Sequence, residues 1–165
     1  MKKQILTLVI PTLIVLVVAG FLYKRYKIPP AIDLPEIALT DLYGHHVSLQ
    51  SYASHPLFVN FFATWCGPCI KELPELADLR SQLSDQKLQV ICICDESISK
   101  LQNIQNRFGD RLIILHSEKS LHDIGIYTYP TNYIYNSQGR KVYEHVNPED
   151  WENSDVVTRI RKMIE

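Results

Sequence analysis

The sequence predicts an α/β domain with a central sheet covered on both faces, standing behind a single N-terminal membrane segment. Three observations carry this expectation. Two mostly apolar runs of strand length, 57–63 and 88–94, alternate with amphipathic helical patterns, as strands buried on both faces do in a βαβ arrangement. A hairpin signal and one more amphipathic helix then close the chain. Ahead of all this, Ile5 to Tyr23 carries no charge between two basic flanks.

Composition narrows the class. The 165 residues hold 46% hydrophobic and 21% charged side chains, a globular balance with room for one ordinary domain. The net charge of −1 conceals an asymmetry. Five of the 17 Lys and Arg precede residue 28, and all 18 Asp and Glu follow it, so the remainder carries 12 basic against 18 acidic residues, a net of −6. There is no basic field, which argues against a nucleic-acid partner. Four cysteines are too few for a disulfide-stapled mini-protein, and the body is long enough to bury its own core.

Residues 1–27 read as an N-terminal anchor, or an uncleaved signal, with basic flanks. Nineteen uncharged residues at ~1.5 Å each nearly span the ~30 Å hydrocarbon core. Lys2 and Lys3 lie before them and Lys24, Arg25 and Lys27 after, so charge does not decide orientation. A cleaved signal peptide is the rival, with small residues at Val17-Val18-Ala19. The apolar run continues past that point to Tyr23, beyond an ordinary h-region. Residues 28–35, with Pro29, Pro30 and Pro35, form a stiff linker to a domain over 36–165.

Within the domain, Ile37–Leu39 and Val47–Leu49 flank the turn Asp41-Leu42-Tyr43-Gly44 and predict a hairpin. Leu57–Ala63 is the first buried strand. Leu73, Leu76, Leu79 and Leu83 recur at helical spacing and predict a helix from about Pro68 to Leu83, with Pro74 inside it. Leu88–Cys94 is the second buried strand, with Cys92 and Cys94 on one face and Ile91 and Ile93 on the other. Ile98, Leu101, Ile104, Gln105 and Phe108 mark a second helix ended by Gly109. Leu112–Leu115 is a third strand. Tyr127, Tyr129, Tyr133 and Tyr135 alternate as in a strand. Tyr133–Tyr135 and Arg140–His145 pair around Asn136-Ser137-Gln138-Gly139, and Asp155–Ile164 is the last helix.

Chemistry concentrates at Trp65-Cys66-Gly67-Pro68-Cys69, between the first buried strand and the first helix. Cysteines at i and i+3 on a first helical turn can close a disulfide without moving the backbone. Cys66 at the helix N-terminus has free N–H groups and the macrodipole to favour its thiolate. Gly67 lets the chain turn, and Pro68 suits an early helical position that needs no N–H. The competing reading is a zinc site in which Cys92 and Cys94 supply the other two sulfurs. Their apolar strand, and a Trp and a Gly-Pro pair that ligate nothing, favour redox chemistry with no metal.

The run FFATWCGPC resembles the thioredoxin superfamily, and VNFFATWCGPCIKELPEL resembles its membrane-anchored TlpA/ResA-like branch. The early hairpin, the extra helix and strand between residues 97 and 116, and the late Pro-Glu-Asp-Trp are similar to that branch. The resemblance implies a thioredoxin fold, a central mixed sheet flanked by helices with an N-terminal hairpin and an αβ insert. It implies an extracytoplasmic thiol–disulfide oxidoreductase, with Cys66 attacking and Cys69 resolving. Pro130 matches the family's cis-proline, which leaves a backbone edge for substrate. Tyr129 and Thr128 depart from the smaller residues often found before it, which narrows the substrate groove. Glu72 matches an acid that assists proton movement at the dithiol; the alternative is a solvated first-turn acid. Asn60 stands where cytoplasmic thioredoxins carry a buried Asp. Trp65 reads as a surface aromatic for docking peptides, and Trp151 as packing.

The resemblance further implies a reductase of envelope or secreted protein disulfides, apocytochromes c among them. It would have no cofactor beyond the Cys66–Cys69 disulfide and would take electrons from a membrane thiol-transfer donor. A disulfide-forming oxidase of the same fold, and a non-enzymatic four-cysteine metal-binding or chaperone-like module, are the alternatives.

Overall fold

A computed structural model describes residues 36–165. The expected anchor and linker, residues 1–35, lie outside the described residues. Among the described residues no helix is long and apolar enough to cross a membrane.

Seven strands form one mixed sheet among the described residues. They are β1 (Leu39–Thr40), β2 (His46–Val47), β3 (Leu57–Phe61), β4 (Gln89–Cys94), β5 (Ile113–Ser117), β6 (Thr131–Tyr135) and β7 (Lys141–Val146), in the order β2-β1-β5-β4-β3-β6-β7. The pairs β3–β4 and β4–β5 are parallel, and the others are antiparallel. The two parallel steps are made through α1 (Gly67–Gln82) and α2 (Ile98–Phe108); α3 (Ser154–Ile164) follows β7. Both crossovers advance the same way across the sheet, so a common right-handed sense sets α1 and α2 on one face.

Side-chain alternation divides the core into two layers. Phe58, Phe62, Val90, Cys92, Cys94 and Ile134 face the three helices and pack with Leu73, Leu76, Leu101, Ile160 and Trp151. Leu57, Val59, Phe61, Ile91, Ile93 and Leu115 face the other way, against Leu49, Leu121 and Ile126. Each fully buried Leu, Ile, Val or Phe contributes roughly 1.5–3 kcal/mol to this core. The second face is covered by short 3₁₀ turns at Leu49–Tyr52 and His122–Ile124, so the sheet is covered on both faces as expected, with the three α-helices against the other layer.

Three further details depart from the sequence reading. Leu49 begins a 3₁₀ turn instead of extending β2, because the Ser48 side chain accepts the Gln50 N–H and turns the backbone. β5 runs on to Ser117, because Leu39 and Thr40 pair with Ser117 and His116. Tyr127 and Tyr129 lie outside the strand. Pro130 has no N–H to give the ladder, and pairing with β3 begins at Thr131, opposite Phe61. The expected hairpin turn is present: Gly139 has φ of 69° and donates to the Asn136 carbonyl.

Candidate active site

β3 delivers the chain to a short loop whose Thr64 N–H donates to Glu96 Oε2 at 2.5 Å. Glu96 lies between β4 and α2 and is paired with Lys100 at 2.5 Å. Burial pushes its carboxyl up, but the Lys100 and Thr64 donors outweigh burial and hold it below the usual range. This pins the residues just before the dithiol to the neighbouring crossover.

Cys66 is the N-cap of α1, and its sulfur accepts the Cys69 N–H at 3.2 Å. Cys66 and Cys69 are joined in a disulfide, as the i, i+3 spacing predicts. Gly67 has no positive φ and open space around it, so it serves as the first helical residue and not as a special turn. Pro68 occupies the early position expected, and Pro74 is accommodated inside the helix. The Tyr129–Pro130 peptide bond is cis. The Tyr129 ring packs edge-on to Trp65 at 5.8 Å between centroids, bringing the proline loop beside the dithiol loop. Trp65 is 72% exposed.

Glu72 is 2% exposed, on the same buried side of α1 as Cys69, so it is not the solvated acid of the alternative reading. Asn132 Nδ2 donates to its Oε1 at 3.1 Å and Asn60 Nδ2 to its Oε2 at 3.4 Å, while the Trp151 indole N–H donates to Oε1. Burial raises its pKa to about 7; the three donors oppose that rise, and the Glu75 carboxylate adds to it. A carboxyl near neutrality is the kind suited to exchange protons with a thiol.

Sequence reasoning missed two of these partners. Asn132 drew no attention, and Trp151 was read as packing alone. One signal was available for the latter: a buried indole N–H requires an acceptor. Cys92 and Cys94 share the helix-facing side of β4 as alternation predicts, and burial pushes both thiols up, Cys94 to about 12. Among the described residues no group of three or more His, Cys, Asp or Glu side chains is placed to hold a metal ion.

A dithiol at a helix N-terminus, beside a cis-proline loop in a thioredoxin fold, defines a thiol–disulfide oxidoreductase. The AhpC/TSA family pattern matches residues 31–143, and the chain belongs to that family. It is 31% identical to the thioredoxin-like protein YneN of Bacillus subtilis strain 168 over 121 residues, 70% of this chain and 71% of the relative. It is 26% identical to the thiol-disulfide oxidoreductase ResA of Bacillus thuringiensis strain Al Hakam over 133 residues, 79% of this chain and 77% of the relative. These relatives are consistent with the ResA-like branch. The fold is that of a thiol:disulfide interchange protein of the thioredoxin family from Chlorobium tepidum TLS. The TM-score is 0.64 at 23% identity, covering 82% of this chain and 97% of that one.

Proposed function

We propose that this chain is a membrane-tethered reductase of protein disulfides, acting outside the cytoplasm on oxidised cysteine pairs in envelope or secreted proteins, apocytochromes c included. The observation that carries the reading is the Cys66 sulfur at the α1 N-terminus, accepting the Cys69 N–H. The same donor and the helix dipole stabilise a Cys66 thiolate in the reduced protein.

The Cys66 thiolate attacks one sulfur of a substrate disulfide, forming a mixed disulfide and releasing the other substrate sulfur as a thiolate. Cys69 then gives its proton to the Glu72 carboxylate and attacks the Cys66 sulfur. The Cys66–Cys69 disulfide forms, the second substrate thiolate leaves, and two electrons have passed to the substrate. A membrane dithiol donor restores the reduced state. Trp65 and Tyr129 supply an aromatic wall for the substrate chain, and the backbone beside Pro130 supplies its edge. The uncharged segment Ile5–Tyr23 supports the tether, and relatives named thiol-disulfide oxidoreductase support the activity.

The test mixes the reduced full-length chain with a peptide carrying a disulfide-closed Cys-x-x-Cys-His. The expected result is one Cys66–Cys69 disulfide formed per peptide disulfide opened. Cys69→Ala should halt at a covalent Cys66–peptide adduct. Absence of any exchange would overturn the reading.

A further inference from the structure

Trp151 touches two glutamates that lie one turn apart on α1. Its indole N–H donates to Glu72 Oε1, and its backbone N–H donates to Glu75 Oε2 at 3.3 Å. The ring is itself fixed in place. It is fully buried, meets Phe58 edge-on at 4.8 Å between centroids, and has the His145 ring 6.1 Å away.

The two oxygens of Glu72 are therefore not equivalent. Oε1 receives two donors, the Trp151 indole and Asn132 Nδ2. Oε2 receives one long contact from Asn60 Nδ2, at 3.4 Å. An oxygen already holding two donors is a poor proton acceptor, so a proton arriving from a thiol goes to Oε2. The indole nitrogen can only donate, which sets it apart from a hydroxyl that could accept from a protonated carboxyl.

We propose that Trp151 is a positioning residue for the dithiol chemistry: its indole N–H occupies Glu72 Oε1, holds the carboxyl in place, and leaves Oε2 to receive the Cys69 proton. This rests on the proton-accepting role of Glu72 put forward above. The groups around Glu72 give the indole this importance. Glu75 on α1 is acidic and itself faces Asp150 and Glu152. Cys92 on β4 is a buried thiol, and Asn60 on β3 and Asn132 on β6 are neutral. On β7, His145 lies across the Trp151 ring and is paired with Glu149 at 3.5 Å. Ionisation of Glu72 thus leans on hydrogen-bond donors, the indole first among them.

The test is an NMR pH titration of the disulfide form of the full-length chain in mild detergent, following the Glu72 carboxyl carbon and the Trp151 indole N–H. In the unsubstituted protein both signals should move with one midpoint. Trp151→Phe keeps an aromatic ring and removes the donor. The Glu72 midpoint should then rise by about one pH unit, the scale of one lost charge-assisted hydrogen bond. The pH profile of peptide-disulfide reduction should move upward with it, and in a Glu72→Gln background Trp151→Phe should leave that profile where it is. An indole signal indifferent to pH, or a Glu72 midpoint unchanged by Trp151→Phe, overturns the proposal even if Glu72→Gln slows reduction. A midpoint that moves while reduction and its profile ignore both substitutions removes the role of Glu72 itself, and the positioning role with it.

Discussion

Asn60 of β3 stands directly opposite Asn132 of β6, and its Nδ2 donates to Asn132 Oδ1 at 2.7 Å. Both amides also direct an N–H at Glu72. Cys92 is the register neighbour of Asn60 on β4, so a short polar row crosses the sheet beneath α1. An amide at position 60 supplies donors without adding charge. One ionisable carboxyl, Glu72, therefore serves this layer.

That burial has a cost that depends on pH. Glu72 has a folded pKa of about 7 against an unfolded value of 4.5. Below about pH 4.5 both states hold the proton. As pH rises toward 7 the unfolded state releases it first, so the stability belonging to the protonated carboxyl is lost across that window. Glu72→Gln should abolish this slope. Urea unfolding of the disulfide form should show the variant gaining on the parent between pH 5 and pH 8, by up to about 3 kcal/mol. An equal difference at both pH values would contradict a raised carboxyl.

The thiols of Cys92 and Cys94 should be silent in the native protein. Both side chains are buried in β4, and burial raises both pKa values. A thiol-reactive dye added to the disulfide form should label neither at neutral pH and should label both after unfolding. Rapid native labelling of either would show an exposed second redox site. Cys92→Ala should cost about 1–2 kcal/mol of stability through the space it opens, with the dithiol potential unchanged.

Trp65 is exposed and packed on Tyr129, a geometry suited to holding a substrate chain. Trp65→Ala should lower kcat/KM for a protein disulfide about tenfold, the scale of one lost aromatic anchor. The potential should stay within about 30 mV of the parent. Reduction of a small disulfide such as oxidised dithiothreitol should fall much less. Equal losses on large and small substrates would deny a docking role.

Gln105 closes an open edge of the sheet. β1 covers β5 only opposite His116 and Ser117. Nearby, the Gln105 amide takes the place of a strand: Nε2 donates to the Leu112 carbonyl at 3.1 Å, and Oε1 accepts the Ile114 N–H at 3.2 Å. Gln105→Ala should destabilise the domain by about 1–2 kcal/mol and raise its tendency to associate through the bared edge. Light scattering that matches the parent at all concentrations would count against that role.

The parts legible in the sequence were those dictated by local pattern. Leu57–Phe61 and Gln89–Cys94 are mostly apolar runs of strand length, and the Leu spacing of α1 is helical, so the central β-α-β-α-β frame follows from neighbours in the chain. Cys66 and Cys69 are legible for the same reason, because the helix N-terminus brings its own donors. What was not legible depends on distant residues. Glu72 carries the same local signal whether solvated or buried; Trp151, 79 positions away, and Asn132, 60 away, make the difference. The alternating tyrosines 127 and 129 were misleading, because alternation says nothing about whether a strand partner is present.

The most direct test of the account is the reduction potential of the Cys66–Cys69 pair in the full-length chain, equilibrated in glutathione or dithiothreitol buffers and read by mass after thiol trapping. A reductase fed with electrons through the membrane should show a value near thioredoxin's ~−270 mV or lower. A value near DsbA's ~−120 mV would make the protein an oxidase, and a pair that never closes would end the redox account.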